Sequence, residues 1–287
     1  MNIILGATGQ IGSMLVDNLL RKGQPVRVVI RNHLKAQEFK NKGVEVRLAD
    51  YFDVKALKIA FQGGSSVFLL TPENPRSENF IDEIDTILSN YKEAILSSGV
   101  TKIVCLSSMG AQHESGTGNL VASYMLEHAF SDLEVEQTFI RPAYYFSNWL
   151  GYVELVKEHG ILPTFFPPEM ELPMIAPPDV AEFLSDMMIC KAQQERIYEI
   201  TGPENYSSLD IVKIFEDVLH KSVILQQIPP EEWESSLMQA GFSKDGTKNL
   251  MLMTKAVIDR KTKDETVTRI CLPTDFKEYL ENAIDTV

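Results

Sequence analysis

No stretch of this chain approaches the ~18 consecutive apolar residues of a membrane span. Nor does it open on a basic region followed by an apolar core and a small-residue cleavage site. Both absences lead to the expectation of a cytoplasmic protein without membrane contact. Cysteine is scarce: Cys105, Cys190 and Cys271 are odd in number, far apart and outside any C-x-x-C pair. That pattern gives no disulfide framework or metal signature and suits a reducing compartment. Cys105 lies inside the apolar run IVCL and reads as a buried small hydrophobe rather than a reactive thiol. The histidines, His33, His113, His128, His159 and His220, have no ligand-like spacing, so no metal site is expected. Basic residues are outnumbered, 27 Lys and Arg against 40 Asp and Glu, for a net charge of −13. So acidic a surface repels phosphate backbones and speaks against direct nucleic-acid binding. The one short basic segment, Arg27 to Lys42, lies where a cofactor would be held.

What is present is ordinary for a globular chain: 44% hydrophobic and 23% charged residues in a length of 287, enough for one large α/β unit or two modest domains. The first half alternates short apolar runs with amphipathic stretches. Strands are predicted at Asn2–Gly6, Pro25–Arg31, Glu45–Ala49, Ser66–Thr71, Lys102–Ser107 and Glu136–Arg141. Helices are predicted at Ile11–Lys22, Leu34–Lys42, Val54–Gln62, Ser77–Ser98 and Val121–Phe130. Runs such as SVFLL and KIVCL lack polar alternation, which implies strands buried on both faces. The fold class expected is therefore α/β, a doubly wound parallel sheet with right-handed crossovers.

After Arg141, aromatics and prolines cluster in RPAYYFSNWL and ILPTFFPPEMELPMIAPPD, too proline-rich for regular central structure. Beyond them, a strand is expected at Arg196–Thr201. Helices are expected near Asp179–Lys191, Ser208–His220, Glu231–Ala240, Asn249–Lys261 and Pro273–Ala283. The boundary is soft: residues 1–145 read as a dinucleotide-binding domain. Residues 146–287 read mainly as a smaller substrate-capping domain, with segments such as 179–201 packing back onto the sheet.

The chain opens MNIILGATGQIG, with Gly6, Gly9 and Gly12 three residues apart. A phosphate cradle needs a strand ending at the first glycine and a helix starting near the last. The first glycine permits the turn, the second admits pyrophosphate, and the third lets helix and strand pack closely. Both flanks are present, and the helix N-terminus offers free N–H groups and a positive dipole. The context favours a cradle over a structural turn, with Gly6, Thr8, Gly9, Gln10, Ile11 and Gly12 as its cofactor-binding residues. The second strand, PVRVVIRN, ends in Arg31, and the next acid is Glu38. An acid there would hydrogen-bond the ribose of NAD; a base pairs with the 2′-phosphate of NADP. Arg31 favours NADP(H) over NAD(H), the alternative being a solvated arginine at a strand end.

GATGQIG, Arg31, LADYFD after the third strand and LLTP after the fourth resemble the NmrA-like branch of the atypical short-chain dehydrogenases/reductases. CLSSMGA, IRPAYYFSN, APPDVA and YEITGPENYSSLDI extend that resemblance, in order, to about residue 212. The resemblance implies a Rossmann domain and a family of NAD(P)H-dependent quinone reductases, other small-molecule reductases and NADP sensors without turnover. Relatives are often labelled nucleoside-diphosphate-sugar epimerases. By position it puts Asp50 and Tyr51 near the adenine, Leu70 and Thr71 along the ribose side, and Ser107 near the nicotinamide. It has Pro142 to Tyr145 closing over that end and Asn148 at the pocket mouth. Asp50 has a second reading as the cap of the following helix.

Short-chain reductases generally protonate the substrate carbonyl from a Tyr tuned by a Lys four residues later, with a Ser on the oxygen. The nearest pattern is SYMLEH, with Tyr124 and, where the Lys would stand, His128. Ser107 or Ser108 would be the hydroxyl partner. A histidine is not a permanent cation at neutral pH, so Tyr124, His128 and Ser108 are candidates for acid–base work that the missing Lys weakens. Sugar epimerisation, which relies on that pair, is disfavoured more strongly. Hydride transfer to a quinone needs chiefly alignment. Tyr144, Tyr145, Phe146, Trp149, Phe165 and Phe166 could line a flat acceptor's pocket, with Asn148 beside them, or could instead pack the smaller domain onto the sheet. Two readings follow: an NADPH-dependent reductase of a quinone-like or other small carbonyl substrate, or a redox sensor acting through a protein partner.

Overall fold

The computed structural model describes residues 1–191, 195–263 and 268–284. Its strands are β1 Asn2–Leu5, β2 Val26–Ile30, β3 Glu45–Leu48, β4 Ser66–Leu70, β5 Lys102–Leu106, β6 Glu136–Pro142, β7 Tyr144–Tyr145, β8 Ile161–Thr164, β9 Leu172–Ile175, β10 Ile197–Thr201, β11 Asn205–Tyr206, β12 Ile224–Gln227 and β13 Thr268–Cys271. Its helices are α1 Gln10–Arg21, α2 Ala36–Asn41, α3 Val54–Phe61, α4 Phe80–Leu96, α5 Leu120–His128, α6 Ser147–Leu150, α7 Val153–His159, α8 Pro177–Ile189, α9 Ser208–Leu219, α10 Trp233–Gln239, α11 Lys244–Ile258 and α12 Phe276–Ile284.

An eight-stranded sheet runs β13-β10-β6-β5-β4-β1-β2-β3, and every neighbouring pair in it is parallel. Strand order reverses between β1 and β4, which opens a crevice at the carboxyl ends of those strands. The apolar runs are explained by burial on two faces. Ile3 and Leu5 of β1, Val67 and Leu69 of β4, and Ile103 and Cys105 of β5 join one core with α3, α4 and α5. Ile4, Phe68 and Val104 point the other way, into a core shared with α1, α2 and α8. Alternate residues of one strand thus serve opposite cores. Cys105 is wholly buried, and burial pushes its thiol well up from the ordinary value.

The C-terminal half contributes both to this sheet and to a third core. β10 pairs with β6 and β13 with β10, while α8 packs against α1. Phe146, Trp149, Val156, Leu162, Phe215, Phe276 and their neighbours form the separate core beneath α9 and α12. The proline-rich segment is less irregular than the sequence suggests. Pro163 lies in β8 and Pro173 in β9, each a four-residue strand in a small sheet outside the central one. Proline is tolerated there because a short peripheral strand loses little by lacking one N–H.

Helix boundaries also shift for local reasons. The Leu34–Lys42 prediction resolves into a 3-10 turn, His33–Lys35, capped by Asn32, followed by the shorter α2. The α4 helix begins at Phe80 rather than Ser77, because Ser77 and Asn79 form a turn in which Asn79 N–H donates to Ser77 Oγ at 3.1 Å. The α4 N-terminus is capped from afar: Phe80 N–H donates 2.9 Å to Asp245 Oδ2 of α11. Among the described residues no helix is long and apolar enough to cross a membrane.

Candidate active site

The glycine turn sits at the β1 end of the crevice. Gly6 has φ +63°, a left-handed conformation that side chains rarely adopt, and a Cβ there would meet Leu70 Cδ2 at 2.7 Å. Gly9 N–H donates back to Gly6 O at 2.9 Å, and Gly9 is the N-cap of α1. At Gly12 a Cβ would lie 2.2 Å from Gly6 O, so only glycine lets α1 pack this closely on the turn. No side chain caps α1, and no acid occupies its first turn. Thr8, Gly9 and Gln10 are exposed while Ile11 and Gly12 are buried. A helix end left bare and positive in this way fits a diphosphate. Gln10 Oε1 accepts 3.0 Å from Ser147 Oγ, tying the turn to α6.

Arg31 follows β2 as an exposed guanidinium 5.5 Å over the Tyr51 ring, and no carboxylate pairs with it among the described residues. Other bases of the segment are engaged elsewhere, Lys35 with Glu38 among them. Arg27 is buried, donating to Ala60 O and Gln62 O and pairing with Glu45, and Lys42 pairs with Asp17.

Tyr51 is 8% exposed, edge-on to Tyr91, with its hydroxyl against the Gly6 main chain. Burial raises its pKa, although Arg31 and that main-chain contact work against the rise. Its ring therefore braces the turn from beneath. The cap of α3 is Asp53, which accepts from Ala56 N–H at 3.0 Å; Asp50 instead accepts from Phe52 N–H at 2.9 Å. The helix-cap reading of Asp50 is thereby corrected. Leu70 and Thr71 are half-buried at the end of β4. Glu73, two residues on, keeps exposed surface, yet crowding by the surrounding protein raises its carboxyl pKa and its charge acts on Tyr145.

Ser107 and Ser108 directly follow β5. Ser108 Oγ donates to Met109 O at 3.1 Å. Ser107, 6% exposed, donates 2.6 Å to Glu127 Oε1 of α5. Glu127 in turn takes a forked pair from Arg141, Nε to Oε1 at 2.8 Å and Nη2 to Oε2 at 2.7 Å. Arg141 Nη1 also reaches Glu199 Oε1 at 3.4 Å, because the β6–β10 register sets those two residues side by side. Burial by itself would lower the Arg141 pKa; its two carboxylates more than offset that and hold it above the ordinary value. Sequence reasoning missed this buried cluster. Its signal was there to read: an acid or a base set among apolar residues in MLEHAF, FIRPA and IYEIT.

The side chain of α5 that touches Ser107 is thus Glu127. Tyr124 and His128 stack on each other with ring centroids 4.0 Å apart, and His128 Nδ1 lies 2.7 Å from Tyr124 O. His128 is exposed and Tyr124 half-buried, on a helix whose buried residues are Leu120, Ala122, Ser123, Leu126 and Glu127.

The aromatic segment divides. Trp149, expected at the pocket, is 2% exposed, with Nε1 donating to Met174 Sδ; it packs the third core and offers no open face. Phe146 and Phe166 are core residues likewise. Tyr144, Tyr145 and Phe165 are half-buried, and Asn148 is exposed. Pro142 is buried, its carbonyl accepting from Met109 N–H at 3.3 Å. Burial drives the hydroxyls of Tyr144 and Tyr145 well above their ordinary pKa; a hydrogen bond with Asn148 opposes this at Tyr144. Both phenols stay protonated at neutral pH.

A sequence profile of the NmrA-like family matches residues 2–280. The chain belongs to the NmrA-like family. Among curated relatives, this NmrA-like chain is 24% identical over 245 residues to an NAD(P)H azoreductase of Xenophilus azovorans, covering 84% of this chain and 82% of that protein. It is 23% identical over 258 residues to quinone oxidoreductase 2 of Escherichia coli, covering 88% and 85%. The NmrA-like fold superposes on the triphenylmethane reductase of Citrobacter sp. solved with NADP(H), at TM-score 0.80 and 22% identity over 98% of this chain and 99% of that one.

Proposed function

We propose that this protein is an NADP(H)-dependent reductase that passes hydride to an electron-poor, quinone-like small molecule. The observation that carries the reading is the bare α1 N-terminus on an alanine-intolerant glycine turn, with the unpaired Arg31 one strand away. Two relatives named as NAD(P)H azoreductase and quinone oxidoreductase, and a neighbour solved with NADP(H), support it.

The α1 amides would hold the diphosphate, and Arg31 would pair with the 2′-phosphate. Arg31 lies on the β2 side of β1 and would hold the adenosine half there, while residues at the ends of β4 and β5 would hold the other half. Ser107 is two strands from the cradle, about 10 Å at ~4.8 Å per strand, which suits the nicotinamide end. The cofactor supplies the hydride from its nicotinamide. Tyr145 and Phe165 offer half-buried aromatic faces for a flat acceptor, Tyr144 and Asn148 hold each other at the rim, and Pro142 closes the floor. Reduction of a quinone takes that hydride and one proton from solvent, giving hydroquinone and the oxidised cofactor. Domain roles follow the same division: residues 1–145, with α8, β10 and β13 packed back onto them, hold the cofactor, and the remaining residues from 146 onward mainly cap the acceptor.

The test is NADPH oxidation with a panel of quinones, followed by the absorbance of the reduced cofactor. Turnover supports the reading; tight NADPH binding without turnover by any acceptor sinks it. That second result is what a non-catalytic NADP(H) sensor with a protein partner would give. The Tyr124–His128 stack favours that reading, since His128 stands where the Lys of a Tyr–Lys pair would be. Tyr124→Phe separates the cases further: a tyrosine-dependent reductase loses most turnover, and an aligning reductase keeps it.

A further inference from the structure

The Ser107 hydroxyl has a single proton, and its position fixes where that proton goes. Ser107 Oγ lies 2.6 Å from Glu127 Oε1. Both oxygens of Glu127 face guanidinium N–H groups of Arg141, at 2.8 and 2.7 Å. A carboxylate gripped at both oxygens by a permanently charged fork is an acceptor only. The cluster is deeply buried, with Ser107 at 6%, Glu127 at 3% and Arg141 at 4% exposure, so water does not compete for these bonds. Ser107, just past the carboxyl end of β5, therefore spends its proton on Glu127 and keeps only lone pairs for any ligand that reaches it.

Resting on the cofactor reading above, we propose that Glu127 is a positioning residue that fixes Ser107 as an acceptor-only group, which receives an N–H of the bound nicotinamide carboxamide. Ser107 then gives no hydrogen bond to the oxygen of the acceptor. An isolated ketone, whose reduced oxygen concentrates charge, is poorly served at such a site. A quinone, which disperses the charge over its ring, is served without a donor.

The experiment compares binding of NADPH with that of its 3-acetylpyridine analogue, which keeps the carbonyl and lacks the N–H. Binding of both is read by isothermal titration calorimetry, independently of turnover. One neutral hydrogen bond corresponds to about a fivefold preference. The wild type should favour NADPH by that factor, and Ser107→Ala should bind both dinucleotides alike. Glu127→Met, checked for folding by its thermal melt, removes the acceptor, frees the serine proton and should abolish the preference. Equal binding by the wild type, or a preference that survives Ser107→Ala, overturns the inference and leaves the cofactor reading standing. Failure of both dinucleotides to bind overturns both.

Discussion

Replacing Gly12 by alanine probes the cradle at its tightest point. A Cβ there would fall 2.2 Å from Gly6 O and 2.7 Å from Gly6 C, main-chain atoms that no rotamer change can move. A carbon and a carbonyl oxygen need about 3.3 Å, so α1 must withdraw from the turn by about 1 Å. Overpacking of this kind costs roughly 1–3 kcal/mol, or about 2–12 °C in Tm for a chain of this size. The same withdrawal carries the α1 amides away from the diphosphate. Losing one charge-assisted hydrogen bond, roughly 1.5–3 kcal/mol, weakens NADPH about ten- to a hundredfold. Gly23→Ala is the matched control. Gly23 has φ +68° with nothing within 4 Å of an added Cβ, and it follows the far end of α1. Its backbone strain costs about 1–2 kcal/mol and should leave affinity untouched. Thermal melts and fluorescence titration of both variants decide the matter. If Gly12→Ala binds NADPH as tightly as Gly23→Ala, the turn is not a cofactor cradle.

Glu127→Ala leaves Arg141 buried with Glu199 alone at 3.4 Å, and should cost about 3–5 kcal/mol in urea unfolding; a loss below about 1 kcal/mol would refute the buried-cluster account. Asp245→Ala removes the cap that α11 lends to α4 and should cost about 0.5–2 kcal/mol in the same assay. On the α1–α8 seam, Lys22 pairs with Glu182 at 2.8 Å and with Asp186. The Lys22 hydrogen bond, against a burial cost, holds the Glu182 carboxyl below its ordinary value of 4.5. A depressed carboxyl stabilises the fold above its unfolded pKa and loses that contribution as pH falls through the folded one. The Tm gap between wild type and Lys22→Met should therefore be present at pH 7 and close as the pH is taken below 4.5, whereas a constant gap would assign it to packing.

How much of this was legible depended on how many faces of each element are buried. SVFLL and KIVCL serve two cores at once, so their apolar runs could hardly be anything but central parallel strands. The observed β4 and β5 begin at the predicted residues and end one residue earlier. GATGQIG was readable because its three glycines answer separate steric demands. β13 escaped notice as an edge strand whose TRIC places Arg269 in solvent. β8 and β9 escaped because proline in four residues hides a strand. Glu127, Arg141 and Glu199 lie far apart in sequence, and only the β6–β10 register and the buried side of α5 unite them. Trp149 and Phe165 look alike in the sequence, yet one fills a core and the other reaches the surface. Periodicity cannot separate them in a segment without a long helix or strand.

If Arg31 anchors NADPH in a reductase, kcat/KM for NADPH and NADH with one quinone, in the wild type and in Arg31→Glu, must show it. An Arg–phosphate bond contributes roughly 1.5–3 kcal/mol. The account predicts a wild-type preference for NADPH of about ten- to a hundredfold, lost or reversed in Arg31→Glu while NADH turnover persists. A wild type that oxidises neither cofactor, or an Arg31→Glu variant that keeps the NADPH preference, would contradict it.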